Sequence, residues 1–471
     1  MGSLPDSKYI IQTDGYWFVE AHDVDPSKGY ISVSAKGIIN GLSNQPNDGA
    51  DFGPDTYNPN YSGSGIPYTQ TSGLQEAINY IVNNGIGTII LNDGIYDVTS
   101  APLHTDPISS QQYKVYIPAV PYGNDTLHIS IIGLGNATLG ISEISNTQSG
   151  GVVIQSLDVH TSTNPILQFI FGVFTTSSPY FSNVSLFIDG ITFSTSGNSN
   201  NSLGCVDVHF AGDCEFGRLR CYSSNGDNTV PNNFNQATGL YWMAGSTGGT
   251  NINAIEIAIQ GYKYGVYSGL VHTYIAKLST NICDIGLIST TSGYGGYSAY
   301  ISKYEAQNTI TAILAESGGL LSLGIGLLDM ADQASSGSYA YQNSVFLTNA
   351  SIVNIYSFAL GTSGITPVFD MGSAGGIINV HRFLLNSSGT PYIPTVSVPT
   401  VPASGTAQSN TNPYPVNVYL YGGTVTVIDY TPNGGSATQV GTAGPATVRL
   451  NPGDSITLTY SAAPTWNWVA V

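Results

Sequence analysis

The stretch Thr71–Val98, TSGLQEAINYIVNNGIGTIILNDGIYDV, decides the fold. Its first half places Leu74, Ala77, Ile78, Ile81 and Val82 on the i, i+3, i+4, i+7, i+8 stripe of an amphipathic helix. Ser72 and Gln75 stand at capping-box spacing in front of that stripe. Asn83-Asn84-Gly85 ends it with residues that accept left-handed backbone angles. Thr88-Ile89-Ile90-Leu91 follows as a short apolar strand, and Asn92-Asp93-Gly94 as a turn. The stretch therefore predicts a short helix laid across the mouth of a sheet that begins just behind it.

Downstream, to about residue 385, apolar strands recur between turns rich in Gly, Asn and Ser. Leu127 to Ile132, Val184 to Ile188, Cys205 to Phe210, Ile252 to Ile259, Ile282 to Ile288 and Val345 to Ile355 are among the clearest. Strands that recur without intervening helices indicate a solenoid or a sandwich. Few are joined by tight Asn-Gly or Asp-Gly hairpins, which favours a solenoid whose coils stack about 4.8 Å apart. Ahead of it, residues 1–70 contain two candidate strands, Tyr16-Trp17-Phe18-Val19 and Tyr30-Ile31-Ser32-Val33, and then a long run rich in Asn, Pro, Gly and Tyr. Behind it, 386–413 carries prolines among small polar residues and reads as an extended linker. In 414–471, Val416-x-Val418-x-Leu420 and Ile456-Thr-Leu458-Thr-Tyr460 alternate apolar and polar, with turns at Asn433-Gly434-Gly435 and Asn451-Pro452-Gly453-Asp454. This predicts a small antiparallel β-sandwich closed by Trp466-Asn467-Trp468-Val469.

Leu74-Gln75-Glu76-Ala77-Ile78, Gly87-Thr88-Ile89-Ile90-Leu91 and Gly94-Ile95-Tyr96, with Asp48-Gly49-Ala50-Asp51-Phe52-Gly53 upstream, carry a resemblance. The pattern resembles the opening of right-handed parallel β-helix proteins of the pectin-lyase-like superfamily. The resemblance implies an all-β chain: a right-handed parallel β-helix over 71–385 with an N-terminal capping helix, carrying the small C-terminal β-sandwich. That superfamily includes lyases, hydrolases, isomerases and non-enzymatic virus spikes, so fold alone leaves the chemistry open. The closest likeness is to viral tail spikes and tail fibres. It implies a homotrimer and an N-terminal segment, 1–70, that docks on other virion proteins.

Charged residues make up only 8% of the chain, against about 25% in ordinary soluble domains, so the surface must be covered by Ser, Thr, Asn, Gln, Gly and Tyr. The net charge is −18 at neutrality, whereas with carboxylates protonated the 11 basic residues and 7 histidines leave +18. A hot, acidic exterior favours such economy of charge, which suggests the virus of a thermoacidophilic archaeon. The scarcity of Lys and Arg argues against nucleic acid as a partner. Met1-Gly2-Ser3-Leu4-Pro5-Asp6 has neither a basic nor an apolar leader pattern, and Gly319 to Met330 is too short to span a bilayer. Either a leader has been removed or the protein reaches the exterior inside a virus particle, so the expected location is the virion surface or the extracellular space. Cys205, Cys214, Cys221 and Cys283 match no zinc spacing; buried thiols are expected, with no metal and no cofactor.

In Cys205-Val206-Asp207-Val208-His209-Phe210, the apolar set Val206, Val208 and Phe210 should fill the interior, leaving Asp207 and His209 outside. The same alternation puts Glu256 and Asp284 outside. Were they in register on neighbouring coils, their carboxyls would stand about 5 Å apart, the separation of a retaining glycosidase pair. Glu256, Asp284 and Asp207 are thus the candidate catalytic residues of a polysaccharide-degrading enzyme, hydrolase or lyase. The superfamily's Arg-x-Pro-x-x-Arg, Asp-Asp and Gly-His-Gly patterns are absent. Tyrosine supplies the other candidate site. Tyr262, Tyr264, Tyr267, Tyr294, Tyr297 and Tyr300, with Tyr274 and Tyr304, fall within about two coils and would offer ring faces and hydroxyls to a glycan. Sequons at Asn60, Asn124, Asn136, Asn183, Asn200, Asn349 and Asn386 are candidate glycosylation points. The expected function is attachment to host-surface polysaccharide or glycoprotein. A polysaccharide-degrading enzyme and a structural cell-surface protein are the alternatives.

Overall fold

A computed structural model describes residues 10–13, 16–19, 26–35, 50–54, 56, 69–120, 126–134, 151–175, 183–223, 234–242, 244–245, 248–249, 251–269, 272–290, 297–316, 321–330, 343–348, 350–360, 368–371, 376–384, 396–412 and 414–470. Among them the chain is all-β apart from a short 3-10 turn at Pro26–Lys28 and one α-helix, Leu74–Asn84. Two long sheets, one of 14 strands and one of 10, dominate; but for one short edge strand, His104–Thr105, their strands pair in parallel. From Leu203–Asp207 onward the successive strands of these two sheets alternate between them, so each coil adds one rung to each, an arrangement consistent with a β-helix.

The interior is built from columns of like residues. In the larger sheet Ile131, Ile188, Phe216, Ala254, Ile275, Ile301, Ile325, Ile355 and Val380 are successive register partners. Facing them in the smaller sheet run Val115, Phe171, Val206, Leu240, Val266, Leu287, Ile313 and Val345. All are buried, each fully buried aliphatic or aromatic side chain contributing about 1.5–3 kcal/mol. The four cysteines are buried free thiols within these layers. In the early coils the larger sheet bends. Val184–Asp189 and Ile191–Thr195 flank Gly190, and both pair with the single strand Asp213–Ser223. Gly190 has φ +71°, and a side chain there would collide with the Gly133 carbonyl at 2.8 Å.

The helix forms where its periodicity places it and ends at Gly85, φ 66°. Its start differs from the expected capping box. Ser72 takes φ 54° and its hydroxyl donates to the Asp97 carbonyl, while Thr71 Oγ1 accepts the Gln75 N–H at 3.1 Å. Gln75 is spent on docking: its amide donates to the Tyr116 carbonyl (2.9 Å) and accepts the Tyr116 N–H (2.8 Å), as a neighbouring strand would. Leu74 and Ile78 line, with Ile89, Val115, Ile131, Ile154, Phe171, Ile188, Ile191 and Phe193, an apolar cavity of about 10 Å³, no larger than one water.

Ile31–Val33 is the end strand of the larger sheet, paired with Thr88–Leu91, so the parallel stack begins inside the expected attachment segment. At the other end, a four-stranded and a three-stranded antiparallel sheet contain the described strands after residue 406, with Val418, Ile428, Leu458, Trp466 and Trp468 buried. The stretch 396–412 is not a free spacer. Two of its proline carbonyls are held by side chains of the C-terminal sheets: Pro399 O accepts from Trp466 Nε1 (2.7 Å) and Pro402 O from the Tyr460 hydroxyl (2.6 Å). No helix among the described residues is long and apolar enough to cross a membrane.

Candidate functional site

Among the described residues of the stack, the outer face of the larger sheet carries the exposed tyrosines Tyr274, Tyr300 and Tyr356. Tyr274 in Thr273–Asn281 and Tyr300 in Tyr297–Gln307 are register partners, their rings stacked at 6.1 Å and 12°. They are 46% and 40% exposed, which a core role does not explain. The next partner of Tyr300 is Gly324. A Cβ there would lie 2.9 Å from the Tyr300 ring and 3.7 Å from that of Tyr356, so glycine is what lets two tyrosines converge over this strand. Tyr356, 49% exposed, stacks in turn on His381 at 5.2 Å and 12°. The result is a row of exposed, near-parallel rings edged by amides: Asn379 donates to Asn354 at 2.8 Å.

Beside the rings runs a charge ladder. Arg218, Glu256, Lys277 and Lys303 are successive partners in one column, and Ser279, Glu305 and Asp329 in the next. Lys277 reaches Glu256 (3.5 Å) and Glu305 (3.2 Å), and Lys303 reaches Glu305 (2.5 Å) and Asp329 (3.9 Å). Burial alone would raise the Glu305 carboxyl, but hydrogen bonds from Lys303 and Ser279 and the charges of both lysines outweigh it and hold it below its ordinary value.

The smaller sheet carries a different outer layer. Tyr113, Phe169 and Tyr241 form a buried cluster, with Tyr116, Ile166, Phe174 and Tyr267 packed on it. Asp207 lies beneath, only 1% exposed. Its Oδ2 accepts the Tyr113 hydroxyl (2.9 Å), and its Oδ1 accepts the His209 N–H (2.9 Å) and meets His209 Nδ1 at 2.6 Å. Burial first, and the Asp207 charge second, push the Tyr113 hydroxyl well up. The His209 ring lies against Phe210 and, at 4.8 Å, Tyr241. An imidazole oriented by a buried carboxylate has the components of a general base. Further along, Tyr264 and Tyr267 meet edge to face at 5.6 Å, with the Lys263 ammonium 5.4 Å from the Tyr264 ring.

The expected residues are therefore dispersed. Glu256 is outside, as expected, but its neighbours in register are Arg218 and Lys277, not Asp284. Asp284 precedes Ile285–Thr290 in the smaller sheet, where burial raises its carboxyl against the lowering charge of Lys263. The neighbouring-coil carboxylate pair is not made, because this coil is shorter than the interval between the two residues. Asp207, expected outside, is covered by Tyr241, its register partner on the next rung, and by Tyr113 from two rungs before. Tyr262 and Tyr304 point inward: the Tyr262 hydroxyl meets Thr195 Oγ1, Cys205 Sγ and the Tyr222 carbonyl, at 2.8, 2.9 and 2.9 Å. Tyr264 and Tyr267 belong to the smaller sheet and Tyr300 to the larger; Tyr294 and the side chain of Tyr297 lie outside the described residues. Asn200 is exposed on a turn, Asn183 is half-buried, and Asn60, Asn124, Asn136, Asn349 and Asn386 lie outside the described residues.

Lys277, Lys303, Tyr356 and His381 were not legible as site residues. A signal existed for the first two: Tyr274-Ile-Ala-Lys277 and Tyr300-Ile-Ser-Lys303 repeat Tyr-Ile-x-Lys on adjacent rungs. No group of three or more His, Cys, Asp or Glu side chains fit to hold a metal ion occurs among the described residues. No family model matches the chain, and neither a curated protein nor a solved structure matches it.

Proposed function

We propose that this protein is a virion tail spike or fibre that attaches to host-surface glycans. In this reading the stacked coils form a right-handed parallel β-helix, capped by the helix Leu74–Asn84 and carrying a C-terminal β-sandwich; three copies associate, and the N-terminal segment docks on other virion proteins. A charge-poor exterior suits the virus of an acidophilic archaeon. The observation that carries the reading is the exposed row Tyr274, Tyr300, Tyr356 and His381. Sugar C–H surfaces pack against such exposed rings, and the tyrosine hydroxyls, with Tyr274 bonded to Ser302 Oγ at 3.2 Å, and the paired Asn354–Asn379 amides stand at the edge of the row where a glycan's hydroxyl groups would lie.

The test is retention of the purified protein on surface polysaccharide from candidate hosts, with release of shorter sugars followed in parallel. Tyr274→Ala with Tyr300→Ala is expected to weaken retention about tenfold per ring, equivalent to about 1.4 kcal/mol each, with the melting temperature unchanged. Retention untouched by both substitutions would sink the row as the binding surface. The Asp207–His209 pair supports a second reading, a polysaccharide-degrading enzyme whose base is His209 in place of the expected Glu256 and Asp284. Release abolished by His209→Gln would favour it. Neither retention nor release would leave the structural cell-surface protein.

A further inference from the structure

Of the 11 Lys and Arg residues in the chain, Arg218, Lys277 and Lys303 fall in one outer-face column of the larger sheet, with Glu256 on the rung between the first two, and Arg220 lies beside them at 7% exposure. In a sequence so sparing of charge, that concentration calls for a reason. A stability role is weak, since exposed ion pairs contribute about 0–1 kcal/mol. Each lysine is about two-fifths exposed and stands over the sheet beside the tyrosine row. The acids facing these cations are Asp213, Glu215, Glu256, Glu305 and Asp329, with Asp189 bonded to the Arg218 N–H at 2.8 Å. At neutral pH they outnumber the cations and the face is net negative. In acid, where carboxylates as a class are neutral and Arg and Lys stay charged, a ladder of positive groups remains, with Lys277 and Lys303 one rung, about 4.8 Å, apart and Arg218 two rungs from Lys277.

We propose that this ladder is an acid-switched binding site for sulfated polysaccharide, an inference that rests on the glycan reading and specifies its ligand. The chemistry selects the anion. Where carboxylates are protonated, uronic acids are neutral too, whereas sulfate esters stay ionised. The ladder thus engages sulfated chains under the same conditions that remove its own carboxylate competitors. Glu305, held below its ordinary value by Lys303, Ser279 and Lys277, sets the switch on the acid side of the usual carboxylate range.

The test uses the full chain on immobilised dextran sulfate and on unsulfated dextran, at about pH 2 and about pH 7. The wild type is expected to bind dextran sulfate only in acid, and Lys277→Ala with Lys303→Ala to weaken that binding about tenfold. Glu256→Gln with Glu305→Gln is the decisive variant. It is expected to bind dextran sulfate at neutral pH, although the chain as a whole remains strongly negative. If the lysine variant binds like the wild type in acid, the attraction is that of overall charge and the site is overturned. Failure of the glutamine variant to bind at neutral pH overturns the switch. Equal retention on both dextrans in acid, lost in the Tyr274/Tyr300 variant, would leave the glycan reading standing and refute the sulfate site. Retention on neither would remove both.

Discussion

Lys114→Ala is expected to destabilise the protein by about 3–5 kcal/mol, the cost of stripping one partner from a buried ion pair. Lys114 is fully buried, and its ammonium donates to the Thr99 carbonyl (3.0 Å), the Ala101 carbonyl (2.9 Å) and Asp158 Oδ2 (2.7 Å), which uses all three of its N–H groups. Asp158 is further held by His160 Nε2 at 2.5 Å and by the Ser156 hydroxyl. Truncation would leave a half-buried carboxylate short of its main counter-charge and two carbonyls without a donor. Urea unfolding of wild type and variant measures the loss, and a difference below about 1 kcal/mol would show that water substitutes for the ammonium.

The same site gives a pH dependence of defined sign. Burial alone would raise the Asp158 carboxyl, but the hydrogen bonds from His160, Lys114 and Ser156 and the charge of Lys114 outweigh it and hold it well below the usual carboxylate range. A folded pKa depressed below the unfolded one contributes stability that is fully present above the unfolded pKa and is lost as pH falls through the folded pKa. The gap between wild type and Lys114→Ala should therefore be full at neutral pH, begin to narrow as pH falls below the ordinary carboxylate value, and close as it falls through the depressed folded one. A gap that widens on acidification would refute the assignment.

Ile78→Ala should cost about 2–5 kcal/mol, with the upper part of that range expected. Ile78 lines the small cavity under the helix, whose lining is apolar, so a water in the space vacated would find no hydrogen-bond partner. Collapse is blocked as well, because the two Gln75–Tyr116 hydrogen bonds fix the distance of the helix from the sheet. Asn83→Ala, exposed on the same helix, is the control and should fall within about 0.5 kcal/mol of the wild type. Comparable thermal unfolding of the two variants would mean that the helix contributes little to the stack.

The sequence by itself determined the elements whose instructions are local. Apolar spacing and a terminal glycine specify Leu74–Asn84, and the scarcity of hairpin turns specifies parallel pairing between rungs. Each is decided within a few residues by backbone geometry. Only the tertiary structure decided which residues meet. Parallel rungs joined by loops of unequal length carry no local code for register, so Glu256 came to rest beside Lys277 and away from Asp284. Where a strand bends, alternation fails: Ile170 and Phe171 both face the core, and the tyrosines of one segment divide among the interior and two outer faces. Asp207 is buried because rings from other coils close over it, and that cover is a sum of long-range contacts which no window of the sequence contains.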